Sequence, residues 1–400
     1  MNQGNYRITE ISCRLKSSLS KALTRFYPLA GRIKDHVSIN CNDEGVPFLE
    51  TRVNSEMPQF LNQPNLEVMH QLLPHLPDPS EPENELAQVE VQLNLFECGR
   101  IAIGLCVSHK IMDLGSFITF MKCWTGITKG SIETAFPVYN AASLFPPCER
   151  LPMEFFSSRQ SLLVEEGKCV MKRFVFNAAA ISTLKERAKS QRVPYPSKVS
   201  VVSCFIWKST MVSGRASNSS KRPSLLLQAV NMRPRMVPPL NPCTIGNIFW
   251  FASAQCDVSE RENGLQGLVS RLNKAISQLD IRFLQKLQGD EGLSTIHKHL
   301  QEVKEKHSKE KPETYSFTSW CNSDLNKVDF GWGEPVWVCF VGWFRSGSRN
   351  VVILNDTTLG DGVEAWVATN EKEMAKLEQD PEFHALASLN PSITIPVARL

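Results

Sequence analysis

The chain has 400 residues, 42% hydrophobic and 21% charged, proportions of a soluble globular protein long enough for two or three domains. Basic residues exceed acidic ones by 44 − 41 = +3, too little to make a nucleic acid or an anionic membrane the main partner. No apolar run reaches the length of a membrane span, and the polar start Met1-Asn2-Gln3-Gly4-Asn5 lacks the apolar core of a signal peptide. The 12 cysteines include no C-x-x-C pair, so a cytoplasmic protein without structural zinc or a disulfide framework is expected.

The first predicted element is a helix over 15–26, where Leu15, Leu19, Ala22, Leu23 and Phe26 share one face. Short strands at 36–41 and 47–53 flank the turn Asn42-Asp43-Glu44-Gly45. Residues 54–86, rich in Pro, Asn and Gln, read as loop with short helical pieces. Residues 88–95 then alternate polar and apolar with period two, the pattern of a half-buried strand. Glu97-Cys98-Gly99-Arg100 turns that strand into the apolar run 101–107, and a helix is predicted over 116–124.

Residues 136–167 hold no sustained period and read as linker. A strand at 170–176 and a helix at 178–189 follow. Ser197 is placed to cap a further helix that turns Val202, Phe205, Ile206 and Trp207 to the core. A strand at 225–230 leads into Asn231-Met232-Arg233-Pro234-Arg235; helices are predicted at 261–289 and 293–310, the second ending in a solvated charge run at 304–311. Strands at 336–343, 350–354 and 363–367 and a helix at 372–378 complete the pattern. Strands and helices alternate in two comparable halves, which favours α/β or α+β layers around separate cores.

The usual phosphate cradles and the G-x-S-x-G nucleophile elbow are absent from the sequence. His297 and His299 point apart on a charged helix, while His36, His70, His75, His307 and His384 have no acid or cysteine at ligand spacing, so no metal site is expected. His109 differs. It closes the strand 101–107, where the sheet fixes its backbone and the imidazole can face a cleft as a general base. Asp113 follows four residues later at the start of a helix, where the dipole favours a carboxylate. In a chain with 8 histidines such spacing also arises by chance, so it needs support. Asp329-Phe330-Gly331-Trp332-Gly333 is the second singular run, a tight turn with Trp332 fixed by packing. Just before it, Thr318 and Trp320 offer hydroxyl and indole donors able to stabilise an oxyanion in a shared cleft.

The pairing of H-x-x-x-D at His109 and Asp113 with D-F-G-W-G at 329–333 resembles the signature of the plant BAHD acyltransferases, and within them the alkaloid O-acetyltransferases. Further matches include Leu15-Lys16-Ser17-Ser18-Leu19-Ser20, Phe26-Tyr27-Pro28-Leu29-Ala30-Gly31-Arg32, Gln228 to Arg233, Gly246-Asn247 and Gly360 to Trp366. The resemblance implies an α/β fold of two chloramphenicol-acetyltransferase-like domains, each a mixed sheet with flanking helices. They would occupy 1–145 and 169–400, with a crossover linker at 146–168 and a channel between them. It implies His109 as general base, Asp113 paired with Arg233 to orient it, and direct attack on the thioester without an acyl-enzyme. It also implies Thr318 and Trp320 by the thioester carbonyl, Asp329 as a motif acid of structural role within the turn Gly331-Trp332-Gly333, and Lys221 at a CoA phosphate.

The implied activity is transfer of an acyl group, acetyl from acetyl-CoA first, to a hydroxyl of an alkaloid or related plant metabolite. The enzyme would be a monomer with acyl-CoA as co-substrate and no resident cofactor or metal. The alternatives are a non-catalytic relative that binds CoA or a metabolite, and an acyltransferase that joins a malonyl or aroyl donor to a phenolic acceptor. Two departures from the family pattern stand out. Leu114 separates Asp113 from Gly115, and the chain starts almost directly at the first helix, so the family's first strand is expected to be missing.

Overall fold

A computed structural model describes residues 3–35, 38–74, 86–131, 134–146, 165–166, 169–215, 222–257, 264–289, 291–310, 312–341 and 348–393. Among them the strands are β1 (Arg32–Ile33), β2 (Ile39–Asn40), β3 (Phe48–Val53), β4 (Val89–Phe96), β5 (Ile101–Val107), β6 (Glu165–Glu166) and β7 (Val170–Phe176). They continue with β8 (Ser224–Asn231), β9 (Phe249–Cys256), β10 (Glu313–Ser319), β11 (Ser348–Arg349), β12 (Val351–Asp356), β13 (Val363–Thr369) and β14 (Ser388–Leu389). The first four helices are α1 (Gln3–Arg25), α2 (Met57–Asn62), α3 (Leu66–Gln71) and α4 (Leu114–Lys129).

Seven strands form the larger sheet, in the order β14-β7-β13-β12-β10-β8-β9. At its centre β8, β10 and β12 run parallel, so their carboxyl ends open at the same edge. The helices Ala178–Ala188, Lys198–Arg215 and Leu265–Ser277 contribute to the core on one face. Val201, Val202, Phe205, Ile206 and Trp207 of the second helix meet Phe174, Leu226, Tyr315, Phe317 and Leu354 there. Each fully buried Phe or Leu of this set contributes about 1.5–3 kcal/mol. Ser197 caps that helix, its Oγ accepting from Ser200 N at 3.0 Å.

Strand alternation sends the intervening residues to the opposite face. Partner pairs Phe251–Ala229, Thr318–Ile353, Ile353–Trp366 and Trp366–Arg173 run across that face in one row. Ala229 and Thr318 join it, one step beyond the pair Gln228–Phe317. The α2–α3 region lies over its far end, where Met69 clusters with Ile353 and Trp366.

The smaller sheet, β3-β4-β5, pairs β3 parallel and β5 antiparallel to β4. Against it pack α1 and α4. Leu15, Leu19 and Phe26 meet Phe120 and Trp124 in its core, and Trp124 Nε1 donates to Ser18 Oγ at 3.1 Å. The helix α1 starts well before the apolar stripe that signals it from Leu15 onward. Gly130, with φ 74°, ends α4 in the left-handed conformation glycine favours.

Four sequence expectations change. Two of the polar positions of β4 are buried, with Gln92 5% and Asn94 0% exposed. Their amides donate to the carbonyls of Gln71 and Leu72 at 2.8 Å, so they support the end of α3 instead of meeting water. Of the strand expected at 336–343, residues 342–343 lie outside the described residues and residues 336–341 form no strand. Their carbonyls take side-chain donors in place of a ladder, with Thr358 Oγ1 donating to Val336 O at 2.9 Å and Asn355 Nδ2 to Val338 O at 3.3 Å. The helix expected over 261–289 breaks at Asp280, which caps a new helix, Ile281–Lys286, by accepting from Phe283 N at 2.9 Å. Strands β9 and β10 form where none was predicted, and β10 is central to the sheet. Most of the 146–168 linker lies outside the described residues.

The contact between α3 and β5 is close enough to demand a glycine. A Cβ on Gly104 would stand 2.0 Å from Leu72 O. Gly104→Ala is therefore expected to destabilise the protein by about 1–3 kcal/mol through overpacking. A denaturant midpoint equal to that of the unchanged protein would contradict this reading.

Candidate active site

The site grows from the first turn of α4. Asp113 is its N-cap, accepting from Ser116 N at 3.0 Å. The carboxylate also binds Arg233, which follows β8. Nη1 reaches Oδ2 at 2.7 Å and Nη2 reaches Oδ1 at 2.9 Å, a two-pronged ion pair. Asp113 is 7% exposed and Arg233 2%. The remaining guanidinium donors go to Thr244 O at 2.8 and 3.0 Å and to Gly246 O at 3.0 Å. Ile248 N donates to Asp113 Oδ2 at 3.0 Å. A buried pair is tolerable when its other hydrogen bonds are also made, as here. Gly115 gives the arginine room, since a Cβ there would lie 2.8 Å from Nη1.

His109 lies in the turn between β5 and α4 and is exposed. Its ring packs edge-on to Phe249 at 5.9 Å. Its Nδ1 is 3.1 Å from Asn247 Oδ1, while Asn247 Nδ2 donates to the carbonyls of His109 at 2.7 Å and Lys110 at 3.1 Å. Asn247 occurred in the sequence only as half of a Gly-Asn match, with no role attached. Its signal was weak because 138 residues separate it from His109.

Trp320 follows β10, its backbone N donating to Leu354 O at 2.7 Å. The β8–β10 register, carried one step past the strand end, sets Trp320 beside Asn231, whose β9 partner is Phe249. His109 thus sits over Phe249, about two strand spacings, or ~10 Å, from Trp320 in the backbone lattice. Phe117 of α4 packs on the Trp320 indole with ring centres 6.0 Å apart, and Phe340 covers another side. Thr318 lies one pleat deeper on the same face. Histidine, hydroxyl and indole therefore gather where the central parallel strands end, the usual place for ligands in open sheets.

Asp329 is elsewhere. Its Oδ1 accepts from the backbone N of Gly331, Trp332 and Gly333 at 2.7, 3.1 and 2.9 Å, and its Oδ2 lies 3.5 Å from Lys129 Nζ. Gly331 and Gly333 have φ of 98° and 107°, which L-residues rarely adopt. Phe330 meets Trp124 edge-on at 4.8 Å, and Arg14 lies over Trp332 at 5.6 Å. Lys129 is the last residue of α4 and Asp113 precedes its first. At 1.5 Å per residue, about 24 Å of helix separates the two motif acids. Burial raises the Asp329 carboxyl, but the Gly331 and Gly333 amides and the Lys129 ammonium outweigh it and hold it below the ordinary carboxylate value. Lys221 lies outside the described residues.

Two mixed sheets with flanking helices, meeting at a histidine and a buried Asp–Arg pair, define an acyltransferase of the two-domain type. The profile of the transferase family matches residues 5–384, and the chain belongs to that family, the BAHD acyltransferases. It is 36% identical over 391 residues to akuammiline synthase 2 from Alstonia scholaris, covering 96% of this chain and 86% of the relative. Limonoid 7-O-acetyltransferase from Citrus sinensis is 38% identical over 392 residues, 94% of this chain and 84% of its own. The crystal structure of vinorine synthase superposes with a TM-score of 0.81 at 35% identity, over 96% of this chain and 87% of that one.

Asp113→Ala would leave Arg233 charged and buried without its counter-ion, a loss of about 3–5 kcal/mol. Thermal melts and folded yield are expected to fall sharply; an unchanged melting temperature would overturn the view of this pair. For Asp329 the sign is opposite to that of a raised group: its stabilisation is present above the ordinary carboxylate range and fades as pH falls through the lowered value. Asp329→Asn should therefore melt below the unchanged protein at neutral pH, with the gap closing in acid.

Proposed function

We propose that the chain transfers an acetyl group from acetyl-CoA to a hydroxyl of an alkaloid or related plant metabolite, with His109 as general base. The observation that carries this reading is the exposed imidazole held at the carboxyl edge of the parallel strands, on the same face as Thr318 and Trp320. The acceptor oxygen attacks the thioester carbonyl carbon as His109 takes its proton. The oxyanion forms beside the Thr318 hydroxyl and the Trp320 indole N–H. Collapse breaks the C–S bond, and the imidazolium returns the proton to the CoA thiolate. The products are the ester and free CoA, without an acyl-enzyme.

Acetyl is favoured over malonyl by the surroundings of Thr318. Ala229 and Ile353 flank it, and Phe117 and Phe340 close over Trp320. Arg173, the cation on that row, lies three strands from Thr318, beyond Ile353 and Trp366. It is bound to Glu364 by two hydrogen bonds of 3.0 and 3.1 Å, so it offers no free charge to a malonyl carboxylate. The relatives are named as an akuammiline synthase, a limonoid 7-O-acetyltransferase and vinorine synthase, which supports O-acetyl transfer to an alkaloid or related plant metabolite. In this reading 1–145 and 169–400 are the two lobes, joined by 146–168, and Lys221 contacts a CoA phosphate. Asp329 shapes its turn and takes no part in the reaction. In this reading the enzyme works as a cytoplasmic monomer.

Purified protein given acetyl-, malonyl- or aroyl-CoA with hydroxylated alkaloids, limonoids and phenolics should release CoA and ester only with acetyl-CoA and an alkaloid or limonoid acceptor. Binding without turnover would instead identify a non-catalytic relative. His109→Ala is expected to lower kcat/KM by about 10²–10⁴, the usual contribution of a general base. Trp320→Phe, which keeps the ring but removes the N–H, should cost about 10²–10³ in kcat. Undiminished turnover by the His109 variant would sink this mechanism.

A further inference from the structure

We infer that Asn247 is a positioning residue that sets the tautomer of His109, and that it is the link through which the Asp113–Arg233 pair acts on the imidazole. The inference rests on the proposed base role of His109 and specifies how that base is prepared. An amide side chain can be turned either way, so its orientation must come from its partners. Here Asn247 Nδ2 lies 2.7 and 3.1 Å from two backbone carbonyls, those of His109 and Lys110. Carbonyl oxygens accept only, so the NH₂ group belongs on that side and Oδ1 faces the imidazole. The oxygen, 3.1 Å from Nδ1, can only accept. Nδ1 must therefore carry the proton, and Nε2 carries the lone pair that takes the acceptor's proton.

The same carbonyl contacts fix the ring's base. Asn247 grips the His109 backbone and its imidazole at once, which restricts the turn between β5 and α4 as well as the ring. The residues on either side of Asn247 are themselves anchored to the buried pair. Gly246 N donates to Ser116 Oγ at 3.0 Å, and Gly246 O accepts from Arg233 Nη2 at 3.0 Å. Ile248 N donates to Asp113 Oδ2 at 3.0 Å. Asp113 and Arg233 thus clamp residues 246 and 248, and Asn247 projects from between them. Through residues 246 to 248 the Asp113 carboxylate can in this way decide which ring nitrogen is the base.

The test uses full-length protein labelled with ¹⁵N-histidine, read by long-range ¹H–¹⁵N correlation, with His109 assigned by its loss in His109→Gln. The expected signal is the Nδ1–H tautomer in the unchanged protein. That spectrum alone can overturn the inference: a proton on Nε2 contradicts it whatever any variant does. Asn247→Ala should lose the tautomer preference and lower kcat about 10- to 100-fold, the KM for acetyl-CoA staying constant. Asn247→Asp would place an anion against Nδ1–H and stabilise the imidazolium. The acid limb of kcat/KM should then move up by about 1 pH unit, because a raised pKa keeps the base protonated longer. Ser116→Ala removes an anchor of Gly246 without touching His109 and should shift the same histidine signal; an unmoved signal would break the proposed link. Should His109→Ala retain full turnover while the Nδ1–H tautomer is found, the base role falls and the positioning geometry stands.

Discussion

Two opposite charges removed from water must find partners for every remaining donor and acceptor, or the site does not form. Asp113 and Arg233 meet that demand by drawing together parts of the chain that are far apart in sequence: the start of α4, the residues after β8, and the loop 244–248. The small sheet supplies the aspartate through β5 and α4, and the large sheet supplies the arginine through β8. Each sheet could form around its own apolar core. It is the ion pair that fixes one against the other where His109 stands. Gly115 belongs to the same constraint, since a side chain there would occupy the space of the guanidinium.

The large sheet decides what His109 faces. Three parallel strands ending at one edge place Asn231, Trp320 and Asp356 on a common rim. One face of these strands is filled by helices, so the other carries the row from Phe251 to Arg173 and becomes the floor of the site. Ala229 and Thr318 place short side chains on the floor next to Trp320. Phe117 and Phe340 narrow it from above.

The D-F-G-W-G turn is built as a closed unit away from His109. Asp329 spends its hydrogen-bonding capacity on three consecutive amides and Lys129. Phe330 seats that turn on Trp124, and the length of α4 keeps it from His109. Its physical effect is to fasten the segment after β10 to α1 and α4, which also holds the lobes together.

Local pattern was legible wherever an apolar run or stripe, or a helix cap, stood out from its flanks. The strand Ile101–Val107, the strand Val170–Phe176 and the helix capped by Ser197 follow directly from period and cap. The pattern misled at β4, whose amides are buried on the end of α3, and it was silent at β10. There Thr314, Ser316 and Thr318 alternate with the core aromatics Tyr315 and Phe317, and even this polar face is buried at Thr314 and half-buried at Ser316 and Thr318.

The sequence by itself determined the family, the histidine at a strand end, and the carboxylate at a helix start, because those depend on residue type and short spacing. Only the tertiary structure decided which ring nitrogen of His109 holds a proton and which motif acid lies near it. Those depend on Asn247 and Arg233, brought back across more than a hundred residues. No local period encodes such a distance; the packing of two sheets and one buried charge pair does.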